Sequence, residues 1–324
     1  MITRRQFAGL GLGLTTLSAA GGLAALSYRR TLRQARANIE RGNSTIVPSR
    51  FGSLEYAEMG EGPPFLMIHG TGGGFDQGLY FAKRLAASGY RIIAPSRFGY
   101  LRSAMPPDPS PQNQADALVD LLDVLGIEKA AIAGGSAGAL SALEFAIRHP
   151  GRCAALIPIV PATYAPNRPP ARPWSPLQNL IAQNVLQSDF LFWTAITIIP
   201  DVIIETLLAT DSGLVSAAPP SEQERVLNIL HGILPVSDRA EGLLNDARQA
   251  GNPPPAMLTK ITAPTLAISL EDDRFLTVDA ARHIAAQVAG ARLIVYRQGG
   301  HVWVGHDKEI FDSVTGFLAD IGFA

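Results

Sequence analysis

The feature that most constrains this chain is an alternation of two patterns. From about residue 46, short runs rich in Ile, Leu and Val alternate with longer segments whose apolar residues recur at helical spacing. The runs cover residues 54–59, 65–69, 91–95, 130–133, 154–160, 265–270 and 292–296. Runs this short and this continuously apolar suit strands buried on both faces. The helical segments cover 76–88, 112–125, 137–149, 278–288 and 309–318, several of them closed by Gly89, Gly126 or Pro150. Strand and helix in alternation imply an α/β fold, with a mainly parallel central sheet and helices on both faces.

The alternation breaks between residues 161 and 258. A Pro-rich stretch (Pro161, Pro166, Pro169, Pro170, Pro173, Pro176) opens this region, and Pro253, Pro254 and Pro255 close it. The helical segments between them carry Trp174, Phe190, Leu191, Phe192, Trp193, Ile196, Ile198 and Ile199. This region reads as an inserted helical lid, its apolar residues serving its own core or a substrate pocket. Residues 46–160 and 259–324 then form the core.

The N-terminus reads as a separate element. Thr3-Arg4-Arg5-Gln6-Phe7 precedes an uncharged, Gly- and Ala-rich run from residue 8 to residue 28. A paired arginine before such a run is similar to a twin-arginine export signal, and about 20 apolar residues also suffice for a membrane anchor. Residues 1–28 are therefore expected to direct export to the periplasm or to associate with a membrane. Arg29, Arg30, Arg33, Arg36 and Arg41 follow the run, a bias that favours the cytoplasmic side for that flank. Residues 29–45 read as a charged helical linker.

Composition narrows the functional classes. The 27 basic and 28 acidic residues leave a net charge of −1, without the basic excess of a nucleic-acid binder. Cys153 is the single cysteine, which excludes an intrachain disulfide and a cysteine-rich zinc site. It lies among apolar residues, where a thiol stays protonated and inert.

The most specific motif is Gly134-Gly135-Ser136-Ala137-Gly138, set between the run 130–133 and the helical segment 137–149. A serine on such a strand–turn–helix is lifted above the sheet. Glycines two before and two after it let strand and helix approach closely. With this motif the chain from about residue 53 resembles the α/β-hydrolase superfamily. His69-Gly70 follows an early strand, an acid follows a late strand and a histidine lies near the end, in the family's order. The resemblance is to the lidded branch that includes esterases, carbon–carbon bond hydrolases and proline iminopeptidases.

The resemblance implies a Ser-His-Asp triad. Ser136 is the nucleophile. His301 is the base, since it follows the last strand and two glycines, with His306 as the rival. The acid falls among Glu271, Asp272 and Asp273, and counting along the family's loop favours Asp273 over Asp272. Backbone N–H groups of Thr71 and Ala137, with Gly72 a possible extra, would hold the oxyanion. His69 is expected to be structural. Phe98, Tyr100, Trp193 and Trp303 are candidates for contact with a small-molecule substrate.

The expected reaction is cleavage of a carboxylic ester of an apolar acid through an acyl-enzyme, with no metal or organic cofactor. Carbon–carbon cleavage is the alternative. So is an aminopeptidase, which would need a lid carboxylate such as Glu205, Glu222, Glu224 or Glu241 for the substrate amine. A non-catalytic, membrane-associated binding protein on the same scaffold is the alternative from another class.

Overall fold

The computed structural model describes residues 4–169, 180 and 184–323, with the side chains of residues 4–21 set aside. Pro170, Pro173, Trp174 and Pro176 of the expected lid lie outside the described residues, as do the side chains of much of the expected signal or anchor. From residue 22 on, no single helix among the described residues is long and apolar enough to cross a membrane.

Helix α1 (Arg4–Arg41) leads into a hairpin of β1 (Thr45–Ser49) and β2 (Gly52–Met59). The order continues β3 (Pro64–Ile68), α2 (Phe75–Ala87), β4 (Arg91–Pro95), α3 (Pro111–Val124), β5 (Ala130–Gly135), α4 (Gly138–Arg148) and β6 (Cys153–Ile159). Between β6 and the next strand lie α5 (Asp189–Ile198), α6 (Pro200–Leu207), α7 (Ser212–Ala217), α8 (Pro220–His231) and α9 (Ala240–Gln249). The chain closes with β7 (Leu266–Leu270), α10 (Thr277–Gln287), β8 (Arg292–Tyr296) and α11 (Asp307–Asp320).

The eight strands form one sheet in the order β1-β2-β4-β3-β5-β6-β7-β8. β2 runs antiparallel to both neighbours, and from β4 to β8 every pairing is parallel. This is the α/β architecture expected from the alternation. β1 was not expected: residues 46–49 hold only Ile46 and Val47 before Pro48. An edge strand tolerates that proline, and Val47 is buried by pairing with Leu54.

Successive residues of a strand face opposite sides, and the core divides accordingly. Phe65, Met67, Ala131, Ala133, Ala155 and Ile157 pack on one face with Phe81 and Leu85 of α2 and Ile310, Phe311 and Val314 of α11. Leu66, Ile68, Ala130, Ile132 and Leu156 pack on the other with Leu118 and Leu122 of α3 and Leu143 of α4. Helices on both faces leave the loops beyond the C-terminal ends of the parallel strands as the place where side chains can converge.

Candidate active site

Ser136 follows β5 directly and has φ +50°, a left-handed conformation that costs a non-glycine residue about 1–3 kcal/mol. The backbone around it over-determines that shape. The Ser136 N–H donates to Ile159 O at 2.9 Å, and its carbonyl accepts from Ala139 and Ala162 at 3.1 Å. The flanking glycines are needed for space. A Cβ on Gly134 would sit 2.6 Å from Gly138 O, and one on Gly138 2.4 Å from His69 O.

His301 leaves β8 through Gly299 and Gly300, both at positive φ. Its Nε2 lies 2.8 Å from Ser136 Oγ, and its Nδ1 lies 2.8 Å from Asp273 Oδ2. A carboxylate only accepts, so Nδ1 carries the proton and Nε2 is left to accept from the serine hydroxyl. Phe275 stands edge-on to the imidazole, ring centroids 5.0 Å apart.

Asp273 is buried, and burial pushes its carboxyl up. The imidazole of His301, the Thr277 hydroxyl and the Phe275 N–H outweigh this and hold it below its ordinary value. Asp272 faces the other way and accepts from the N–H groups of Gly299 and Gly300 at 3.0 and 2.9 Å. His306 does not compete for the serine. Its Nδ1 lies 2.8 Å from Glu309, and its ring stacks on Tyr296.

The His69–Gly74 loop begins beside the serine because Ile68 of β3 pairs with Gly134. Its amides are largely engaged: Gly70 N–H donates to Gln77 Oε1, Gly72 N–H to Tyr100 Oη and Gly73 N–H to Gly70 O. Among the described residues, the Thr71 and Ala137 amides have no acceptor. The Gly72 amide, expected as a possible extra donor to an oxyanion, is instead taken by Tyr100 at 3.2 Å. His69 lies beneath the loop. It accepts from Arg97 N–H at Nε2 and donates to Gly70 O, and burial holds its pKa well below the usual histidine range.

Two residues from the segment before β7 brace the same loop. Arg239, fully buried, donates to Gly73 O and pairs with Asp76 at 2.7 Å. Asp246 accepts from Tyr100 Oη at 2.6 Å and from both terminal nitrogens of Arg97 at 2.7 and 2.6 Å.

A narrow cavity of about 60 Å³ lies against the serine. Its apolar wall is Phe81, Val160, Leu207, Leu208, Ile229, Phe275, Val302 and Trp303, and its polar groups belong to Thr71, Gln77, Ser136 and His301. Among the described residues no Arg, Lys, Asp or Glu lines it. Trp303, a substrate-contact candidate, is in this wall and packs on Phe81. The other three candidates are elsewhere, which corrects the expectation. Phe98 is buried against Phe51. Tyr100 is buried under the loop with its ring edge on His69. Trp193 packs on Tyr28 of α1 and faces a separate cleft.

Sequence reasoning did not single out Gln77, Val160, Leu207, Leu208 or Ile229. One visible signal existed for Gln77, a polar side chain at the start of a helix that directly follows the glycine loop. Among the described residues no group of three or more His, Cys, Asp or Glu is placed to hold a metal ion. The four glutamates of the expected lid, Glu205, Glu222, Glu224 and Glu241, are also absent from the described cavity lining. Glu205 pairs with Arg274, and Glu222 with Arg225 and the Gly305 N–H.

Known proteins share this fold. The family model described as "alpha/beta hydrolase fold" matches residues 63–304. A 2-hydroxy-6-oxononadienedioate/2-hydroxy-6-oxononatrienedioate hydrolase from Pseudomonas putida is 27% identical over 277 residues, covering 81% of this chain and 91% of that protein. An alpha/beta hydrolase fold protein from Nakamurella multipartita superposes with a TM-score of 0.67 at 26% identity, covering 85% of this chain and 98% of the other. The crystal structure of a membrane phospholipase A superposes with a TM-score of 0.65 at 24% identity over 99% of this chain and 100% of the other, a likeness of fold. The chain belongs to the alpha/beta hydrolase fold family and is a hydrolase.

Proposed function

We propose that this hydrolase cleaves an ester of an uncharged, apolar acid through an acyl-enzyme on Ser136. The observation that carries the reading is the continuous relay from Ser136 Oγ through His301 to Asp273, 2.8 Å at each step. His301 Nε2 takes the hydroxyl proton as Oγ attacks the substrate carbonyl. The resulting oxyanion is held by the Thr71 and Ala137 amides, which have no acceptor within the described protein. Each such donor is worth about 3 kcal/mol in the transition state. Collapse of the intermediate expels the alkoxide, which takes the proton from His301. Water then repeats the sequence on the acyl-enzyme, releasing the acid and restoring Ser136.

The cavity wall favours an uncharged substrate. The Pseudomonas putida relative is named for a dicarboxylate. Two carboxylates in a pocket need cationic partners, and the described lining offers no Arg or Lys. An aminopeptidase needs a carboxylate for the substrate amine, and the described lining offers none. Hydrolysis of graded p-nitrophenyl esters by the purified protein, with Ser136→Ala as control, tests the reading. Turnover of neutral short and medium acyl esters that vanishes in the variant is the expected result. Turnover of a dienedioate with no ester cleavage would replace it with carbon–carbon hydrolysis.

For location, we read α1 as an anchor that holds the enzyme at a membrane. Its uncharged run passes without a break in the helix into residues that pack on the body. Tyr28 meets Phe190 and Trp193, and Arg36 lies 4.0 Å from Asp189. A helix that is part of the folded body as well as of the apolar run is suited to retention rather than removal. Sedimentation of the full chain with membranes after a high-salt wash tests this.

A further inference from the structure

Large apolar side chains are exposed in one region of the lid. Phe190 is 50% exposed, Leu191 41%, Ile198 72%, Ile199 45% and Val202 51%. On α1, Leu23 and Leu26 are 69% and 61% exposed. Single exposed apolar residues are ordinary, but three at one helix–helix corner, Ile198, Ile199 and Val202, are not.

The contacts of α5 fix its direction along α1. Its first residue, Asp189, lies by Arg36, while Phe190 and Trp193 lie by Tyr28, two turns nearer the α1 N-terminus. α5 therefore runs antiparallel to α1, and its C-terminal end points toward the Leu26 and Leu23 end. There the chain turns through 109° at Ile199-Pro200 into α6. Ile198, Ile199 and Val202 lie at this corner, and the uncharged run of α1 ends at Tyr28, where the helix meets the body. Arg29, Arg30, Arg33 and Arg36 occupy the next turns of α1.

We propose that the α5–α6 corner docks into the surface of a lipid bilayer carrying anionic headgroups. Ile198, Ile199 and Val202 would enter the boundary between headgroups and acyl chains, beside Leu23 and Leu26, and Arg29, Arg30 and Arg33 of α1 would meet the phosphates. The apolar tip with a cationic collar is the charge arrangement that interfacial binding requires. It also explains why the corner is not covered by polar side chains. The far end of α6 carries Leu207, which with Leu208 lines the cavity at Ser136, so the docked corner and the cavity wall are joined by one short helix. The inference rests on the reading of α1 as an anchor and deepens it.

The test is a single environment-sensitive label. Cys153 is buried and its thiol is pushed up to about 12, so an Ile198→Cys variant of the full chain is labelled at the new site by a nitrobenzoxadiazole maleimide. Glu128→Cys, in the exposed turn at the N-terminal end of the central strand β5, is the control. Both proteins are reconstituted into phosphatidylcholine–phosphatidylglycerol vesicles. The expected result is a blue-shifted, severalfold brighter emission at position 198 that is quenched by doxyl-labelled lipid, with the control unchanged. Water-like emission at 198 in protein that floats with the vesicles overturns the docking and leaves the anchor standing. Protein that fails to float overturns both. A blue shift that lipid quenchers do not touch, and that grows with protein concentration, assigns the corner to a second copy of the chain and overturns the proposal.

Discussion

Asp272 and Asp273 are neighbours in sequence yet hold two different parts of the same loop. Asp273 meets the His301 imidazole at 2.8 Å, and Asp272 takes the N–H groups of Gly299 and Gly300 just before it. One carboxylate orients the ring, and the other holds the loop that carries it. Their substitutions should therefore differ in kind. Asp273→Asn is expected to lower kcat by about four orders of magnitude with a folded protein, because the amide favours the wrong imidazole tautomer. Asp272→Asn is expected to lower stability by about 2 kcal/mol through weakened hydrogen bonds to two amides, with a much smaller loss of kcat. Steady-state kinetics per titrated active site and urea unfolding of both variants separate the two roles.

Arg239 offers a second contrast. It reaches the loop beside Thr71 from another part of the chain, holding Gly73 O and Asp76. Arg239→Met removes the cation from a largely buried pair, a change that costs about 3–5 kcal/mol where both partners are desolvated. Asp76 keeps partial exposure, so the lower end is expected. If the brace also sets the oxyanion donors, kcat per folded enzyme falls by about two orders of magnitude with KM little changed. Arg239→Lys should recover stability more than turnover, since an ammonium cannot make the forked contact.

The Asp273 carboxyl also predicts a pH dependence of stability. Its pKa is lowered from an ordinary value of 3.8 in the native state, so the unfolded chain binds the proton first. The ionised group therefore stabilises the fold above about pH 4, and this contribution is lost as pH falls through the lower native value. Urea midpoints of wild type and Asp273→Asn, measured from neutral pH downward, should draw together below pH 4.

Gly138→Ala tests the close approach of the backbone beside Ser136. The added Cβ would meet two backbone carbonyls, His69 O at 2.4 Å and Ile68 O at 2.6 Å. Backbone cannot swing aside as a side chain can, so overpacking of at least about 1–3 kcal/mol is expected. Loss of Ser136 labelling by a fluorophosphonate should accompany the lowered melting temperature.

Cys153 gives the simplest check of burial. Its thiol is pushed up to about 12 by desolvation, so it stays protonated at neutral pH. Ellman's reagent at pH 8 should find no reactive thiol in the native protein and one after unfolding in guanidinium.

What could be read from the sequence follows from which signals are local. The bounds of β4 and β8 coincide with the apolar runs because Gly, Pro or polar residues flank them closely. β1 escaped because its apolar content is two residues before a proline, and pairing with β2, a tertiary event, makes it a strand. The serine turn was legible because its glycine spacing is a steric demand, visible in the Gly134 and Gly138 contacts. The order of Ser136, Asp273 and His301 along the chain was legible too, although their separations were not. The cavity wall was least legible. Phe98 and Tyr100 sit on a glycine-bearing loop as pocket residues often do, but depth is not written in a local pattern. Val160 lines the cavity at φ +41°, a conformation a β-branched residue rarely adopts and no sequence rule anticipates.

The interlock between the Arg97–Arg102 loop and the segment at 238–246 bears on how this scaffold can be re-engineered. Leu101 N–H donates to Asp238 O, Gly242 N–H donates to Gly99 O, and a Cβ on Gly242 would strike the Tyr100 ring. A chimera that replaces the segment between β6 and β7 with one from another hydrolase, cut after β6 and before β7, would discard Arg239, Gly242 and Asp246 together. Placing the downstream graft junction before Asp238 instead would exchange the helices over the cavity while keeping the clasp beneath it.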